Sequence, residues 1–247
     1  MRLNQEQIEA YRRDGVLPVG RVLNDEQLQA ARGRIDQMLK EDLLDRPETE
    51  GGRYILRRLN VSRGDPWFGS LVRSPAVLDI AESVLGPNVQ YFQDNIFFKP
   101  ANVGGLTPFH QDNIWWKSDP PNMLTIWIAL DDVDAGNGAV EYVRGSHSHL
   151  MDHTVPVVDP KGFTYNMLDQ SKIKPAMTDR IVSFVIPSGH AIMHHCLTVH
   201  GSPSNASPRQ RRAYTISLME AGILSQDTGQ FPLLRGQMPK QPQPALA

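Results

Sequence analysis

The hydrophobic spacing changes character once, at Gly86-Pro87, and that change divides the chain into a helical third and a stranded remainder. Before it, apolar residues recur every three or four positions. Asn4 and Gln7 form a capping-box pair ahead of Ile8 and Tyr11, predicting a helix that stops near Gly15. Asn24 with Gln27 repeats the signal ahead of Leu28, Ala31, Ile35 and Leu39. Ser74-Pro75 opens a third helix through Leu78, Ala81 and Leu85, and Gly86-Pro87 ends it.

Beyond Pro87 the runs are short, and many are β-branched or aromatic. Residues 88–99, 123–133, 138–143, 180–186, 191–200 and 211–219 read as strands, most of them separated by Gly, Pro, Asn or Asp turns. Strands so punctuated predict a mainly β fold with flanking helices, a sandwich or jelly roll of largely antiparallel sheets. Segment 144–179 shows no clean period and reads as a long loop or lid. From Gln226 onward Gln, Pro and Gly dominate, which predicts a mobile tail over 226–247 behind a single domain of residues 1–225. A β domain of this size fits the full 247 residues without a second unit.

Composition removes several function classes. With 25 Lys and Arg against 27 Asp and Glu, the formal charge is -2, and no basic surplus exists to neutralise a phosphate backbone. Nucleic acid is therefore not an expected partner. One cysteine, Cys196, excludes an internal disulfide framework and any multi-cysteine zinc or iron–sulfur site. The N-terminal residues carry no apolar secretory core, and no apolar run is long enough to span a bilayer. The expectation is a cytoplasmic protein without a membrane partner; the sequence leaves its oligomeric state open.

Eight histidines are present, four of them between His190 and His200. Two constellations carry chemistry. In Thr107-Pro108-Phe109-His110-Gln111-Asp112-Asn113, an extended backbone would place His110 and Asp112 on one face, as adjacent metal ligands require. Alone, this pattern is more often a surface His/Asp pair, since H-x-D arises by accident. The second constellation runs from His200-Gly201-Ser202 through a Pro/Ser/Asn loop to Arg211-Arg212. If the flanking strands are neighbours, Arg211 returns beside His200 and offers a bidentate grip for a carboxylate, while Arg212 faces the other way. Two His and one carboxylate with open positions favour non-haem Fe(II). Zinc hydrolases more often use three His, or two His and a Glu.

The sequence resembles the phytanoyl-CoA dioxygenase family of Fe(II)- and 2-oxoglutarate-dependent oxygenases, which includes ectoine hydroxylase-like enzymes. The likeness extends from about Asn4 to Glu220. It rests on residues 6–16, on His110-Gln111-Asp112, on residues 127–132 with Asn137-Gly138, on Gly145-Ser146-His147, and on His200-Gly201-Ser202 with Asn205 and Arg211. The resemblance implies a double-stranded β-helix, which is a cupin-like jelly roll. It implies that His110, Asp112 and His200 ligate iron, and that Arg211 and Ser202 hold the distal carboxylate of 2-oxoglutarate. Trp127 matches a position lining the cosubstrate pocket, and Gln93 and Asn95 are weaker candidates for cosubstrate or substrate contact. Trp115 and Trp116, just after the H-x-D motif, are candidates for the substrate pocket.

The same resemblance implies that O2 and 2-oxoglutarate are consumed to give succinate and CO2 while a C–H bond of a small molecule is oxidised. Family members that halogenate lack the carboxylate ligand; Asp112 is retained, so hydroxylation or a related oxidation is expected. A non-catalytic metal-containing jelly roll that binds a small molecule, and a zinc-dependent hydrolase or isomerase, are the alternatives. Free amino acids, lipid-like acids and secondary metabolites are all open as substrates. His147, His149, His153 and His190 read as turn or surface residues, and Cys196 as a small buried apolar one.

Overall fold

The computed structural model describes residues 1–48, 50–158, 164–225 and 231–239. The first third runs α1 (Gln5–Asp14), β1 (Val16–Arg21), α2 (Asp25–Lys40), β2 (Leu56–Leu59), α3 (Pro66–Val72) and α4 (Pro75–Leu85). Then come β3 (Val89–Lys99), β4 (Thr107–His110), the one-turn α5 (Asn113–Trp116), β5 (Met123–Ala129) and β6 (Glu141–Val143). Next are β7 (Val155–Val158), β8 (Thr164–Met167), α6 (Gln170–Met177) and β9 (Ile181–Ser183). The last strands are β10 (His190–His195), β11 (His200–Ser202), β12 (Arg211–Glu220) and β13 (Leu233–Arg235).

Local chemistry sets the helix ends as expected. Asn4 and Asn24 each accept from the backbone N–H three residues on and receive the reciprocal Gln bond, and Ser74 caps α4 behind Pro75. The seven-residue α3, opened by Asp65 and Pro66, is too short to show a period in the sequence.

The larger sheet has the order β1-β10-β5-β12-β3-β13, with β2 also on β3. The smaller has the order β4-β11-β6-β9, and β7 pairs with β8. All pairings are antiparallel. The two main sheets share an apolar cluster in which Trp127, Ala129, Ile192 and Ala213 of the larger meet Tyr142 of the smaller. The jelly-roll class holds, although the sheets do not close into a barrel.

Three expectations need correction. The run 191–200 is two strands in different sheets. The His195 ring Nδ1 accepts from the Leu197 N–H at 3.1 Å and the His195 carbonyl from the Thr198 N–H at 2.8 Å, so the chain turns there. Segment 144–179 is not one loop, since it contains β7, β8 and α6, the helix being capped by Asp169. Within the expected tail, residues 226–230 and 240–247 lie outside the described residues, but Leu233–Arg235 forms β13 against β3.

Strand β12 decides what each face of the large sheet does. Its even residues, Tyr214, Ile216 and Leu218, join Ile96, Phe98, Ile126 and Ile128 in the core shared with the N-terminal helices. On that face the buried Asp94 accepts from Tyr214 Oη at 2.7 Å, from Ser62 Oγ at 2.5 Å and N at 2.9 Å, and from Tyr91 Oη. Arg212 also points this way. Its Nε and Nη2 make a fork on Asp131 at 3.0 and 2.8 Å, and Nη1 reaches Asp36 of α2 at 2.7 Å. Odd residues face the smaller sheet, in rows set by register: Arg211 beside Lys99, Ala213 beside Phe97 and Ala129, Thr215 beside Asn95 and Trp127, Ser217 beside Gln93 and Thr125.

Arg212→Ala leaves Asp131 with only the Arg32 guanidinium, 3.6 Å away, and should cost about 2 kcal/mol in urea unfolding, the scale of lost hydrogen bonds to a charged group. The Asp36 side chain is 52% exposed, so Asp36→Asn should cost no more than about 1 kcal/mol in the same measurement.

Candidate metal centre

Strand β11 lies between β4 and β6, with His200 opposite His110 on one side and Tyr142 on the other. The strands close this tightly because residue 201 is glycine. A Cβ there would stand 2.9 Å from the Thr107 carbonyl oxygen and 3.0 Å from the Phe109 nitrogen. The His110 and His200 rings sit side by side, 4.3 Å between centroids.

Both imidazoles are set in the same way. Nδ1 of His110 lies 2.8 Å from the Pro108 carbonyl, and Nδ1 of His200 lies 2.9 Å from the Thr198 carbonyl. Each Nδ1 therefore carries a proton and donates it, so each Nε2 is the ring atom available to a cation. Both Nε2 atoms face Asp112 Oδ1, at 3.7 and 3.8 Å. One ligand atom from each of the three residues falls within 4.8 Å of the others.

Asp112 reaches this position by a route other than strand alternation. Strand β4 ends at His110, and Asp112 has helical backbone angles at the start of α5. A strand-to-helix turn, not an extended i, i+2 pair, brings the carboxylate under the imidazoles. Its second oxygen is held by His194 Nε2 at 3.3 Å and Thr125 Oγ1 at 3.4 Å. Burial pushes the Asp112 carboxyl up, but His200, His110 and His194 outweigh it and hold the group well below the usual carboxylate range. Burial, aided by His110 and His194, drives His200 well below the ordinary imidazole value. An anionic carboxylate and neutral imidazoles are the forms that bind a cation.

Gln111, between the two candidate ligands, points away and is fully buried. Its Nε2 donates to the carbonyls of Leu197 at 2.6 Å and His149 at 2.8 Å, its Oε1 accepts from Met151 N at 2.7 Å, and its own N–H donates to His153 Nε2 at 3.1 Å. His153 is thus a buried acceptor and not a surface residue.

At the other end of the inner face is Arg211, 2% exposed, with its guanidinium 5.3 Å over the Trp127 ring. Its Nε and Nη1 are buried without a hydrogen-bond partner. Burial lowers it to about 10. The residue opposite on β3 is a buried lysine, Lys99, which the sequence reading did not single out. Lys99 Nζ donates to Ser202 Oγ at 2.6 Å and to the Pro203 carbonyl at 2.6 Å. Burial, with Arg211 adding to it, pushes the Lys99 ammonium down to about 6. Gly138 leaves room for it: a Cβ there would stand 2.9 Å from the Pro203 carbonyl oxygen and 3.3 Å from Lys99 Cδ. Since Ser202 Oγ accepts from Lys99, its own O–H is left to donate.

Asn95 is buried on the same face with Oδ1 unpartnered, and Gln93 is half-buried one row on. The tryptophan pair divides. Trp115, 41% exposed, packs its ring 4.9 Å from His110. Trp116 is buried against Phe92 among Met123, Cys196 and Leu197, so it packs rather than borders the metal cluster. Cys196 is buried, and burial raises its thiol to about 12, in keeping with an inert small residue. Lys99 and Tyr142 are inner-face residues that the sequence reading missed. Parity offered a signal for Lys99, which lies two and four residues from Phe97 and Asn95 on one strand face.

The description of the phytanoyl-CoA dioxygenase family matches residues 11–213. The chain belongs to that family. It is an oxidoreductase of the iron- and 2-oxoglutarate-dependent oxygenase class. Among curated relatives of the family, L-proline trans-4-hydroxylase of Streptomyces griseoviridis is 30% identical over 219 residues, 81% of either chain. The non-haem α-ketoglutarate-dependent carbocyclase SnoK from nogalamycin biosynthesis shares the fold, with a TM-score of 0.79 at 24% identity over 94% of this chain and 96% of that one. The epimerase SnoN, solved with Fe3+, α-ketoglutarate and nogalamycin RO, follows at a TM-score of 0.77 and 21% identity, over 94% and 98% of the two chains. No helix among the described residues is long and apolar enough to cross a membrane.

Replacing Gln111 by Leu strands several buried backbone groups at once. The expected cost is at least about 2 kcal/mol in urea unfolding, with faster proteolytic cutting at residues 149–153.

Proposed function

We propose that this protein hydroxylates a C–H bond of a small molecule, with Fe(II) held by His110, Asp112 and His200 and 2-oxoglutarate anchored by Arg211. The observation that carries the reading is the Arg211 guanidinium, buried with two nitrogens unpartnered on the inner face that also holds the His-Asp-His cluster. A buried cation left so is costly unless an anion completes it. Together with the His-Asp-His cluster, it argues against a zinc hydrolase or a passive binder.

The donor set fits the implied groups. Two neutral imidazoles and one carboxylate supply three ligands of the kind Fe(II) takes. When bound, the iron and 2-oxoglutarate supply the oxidising power, as O2 is reduced and the keto acid is split to succinate and CO2. The chain's own residues position and protect. The Pro108 and Thr198 carbonyls hold the imidazoles in the ligating tautomer, and His194 with Thr125 holds the free oxygen of Asp112. Arg211 and the Ser202 hydroxyl grip the distal carboxylate, with Trp127 as the flat wall beneath the guanidinium. Lys99 keeps Ser202 turned toward them. Trp115, over His110, borders the mouth where substrate enters. The proline named for the curated relative supports a small, amino-acid-like substrate.

Asp112→Ala should lose Fe(II) retention and turnover together, read as iron content after gel filtration and O2-dependent succinate release. Near-normal iron and rate would overturn the ligand assignment. Arg211→Ala should raise the 2-oxoglutarate requirement at least about tenfold, from about 2–5 kcal/mol of lost charge-assisted contact. Arg211→Lys should also suffer, because a point charge cannot reproduce the fork. Arg212→Ala should keep cosubstrate affinity. The reverse pattern would shift the strand's assignment by one residue.

A further inference from the structure

Among the described residues, four side chains between the two main sheets carry buried polar atoms without a hydrogen-bond partner: Arg211 through Nε and Nη1, Tyr142 through Oη, His194 through Nδ1 and Asn95 through Oδ1. Arg211 already has a task in the reading above. His194 uses Nε2 on Asp112, so its Nδ1 is an acceptor, and Asn95 Oδ1 is an acceptor as placed. The Tyr142 hydroxyl is the remaining donor.

Its placement is well defined. Tyr142 sits in the middle of β6, opposite His200, fully buried. Its ring stacks on His200 at 5.9 Å and 24°, and stands 5.4 Å from His194. It packs in one cluster with Trp127 and Ala213, the same Trp127 that lies under Arg211. Phenol and guanidinium are near enough to bias each other's ionisation, and Asp112 also acts on the phenol. Burial, with Asp112 adding to it, outweighs Arg211 and keeps the hydroxyl protonated. A phenylalanine would fill the same space without a stranded O–H, so the fold retains the hydroxyl at a cost to its own stability.

We infer that Tyr142 donates through Oη to the distal carboxylate that Arg211 binds, and is a second anchor for the cosubstrate. The inference rests on the oxygenase reading above. A carboxylate has about four lone-pair sites, enough for the Arg211 fork, the Ser202 hydroxyl and the phenol together. The hydroxyl buried without a partner in the free protein then gains one when the cosubstrate enters.

Tyr142→Phe tests this because its two effects have opposite signs. Without 2-oxoglutarate, the full-length variant should melt at the wild-type temperature or a few degrees above it, since a stranded donor has gone. Its affinity for 2-oxoglutarate should fall about tenfold or more, read by anaerobic titration of the Fe(II) charge-transfer band. The same titration with 2-oxopentanoate, which has a methyl in place of the distal carboxylate, should give equal affinities for variant and wild type. Unchanged 2-oxoglutarate affinity would overturn the assignment. So would equal losses for both oxo acids, or a variant that melts lower or fails to fold, because the hydroxyl would then serve the protein itself. If wild type shows no 2-oxoglutarate-dependent band while retaining iron, the oxygenase reading fails first and this inference goes with it.

Discussion

The lateral pairing of a three-residue strand, β11, with β4 and β6 is the contact on which the rest of the site depends. It sets His110, His200 and Tyr142 abreast, and it requires a glycine at 201 because the neighbouring backbone leaves no room for a side chain. The two imidazoles then need little further help. In each case the carbonyl two residues upstream takes the Nδ1 proton, so ring orientation and tautomer are written into the strand itself. The carboxylate is different: it depends on partners from two other strands, His194 of β10 and Thr125 of β5. Ligand geometry is thus locally encoded for the histidines and assembled from afar for the aspartate.

The opposite end of the inner space carries a guanidinium that the protein does not neutralise. Arg211 and Lys99 face each other across β12 and β3, both almost wholly shielded from water. Lys99 satisfies itself on Ser202 and Pro203, whereas Arg211 does not. Such groups are held in place by the packing around them, here Trp127 on one side and the Gly138 turn on the other. Natural sites commonly concentrate local discomfort where a ligand is to be received.

How much of this was readable beforehand follows from the range of each interaction. The helix ends were legible because caps act over three residues, as at Asn4, Asn24 and Ser74. The opposed faces of Arg211 and Arg212 were legible because alternation is a property of the strand alone. The split of 191–200 was not, because the His195 ring that breaks it bonds the chain ahead and shows no breaker in the sequence. Strand β13 gave no signal because its pairing partner is over a hundred residues away. The H-x-D motif was found for a geometric reason that did not hold, since Asp112 is helical. Lys99 and Tyr142 were missed because each acquires meaning only from a neighbour on another strand.

The Arg211-Arg212 doublet has a consequence for how the chain finds its register. Slipping β12 by one residue would still send one arginine inward and one outward, so at this end the two alignments are chemically degenerate. Discrimination must come from farther along. Tyr214 docks only outward, on the buried Asp94, and Ser217 only inward, 3.0 Å from Thr125 Oγ1. A slipped strand would bring the Tyr214 phenol into the inner space and leave Asp94 with an empty bond. The strand is keyed at its middle, which frees the loop of residues 203–210 to vary in length without misplacing the guanidinium.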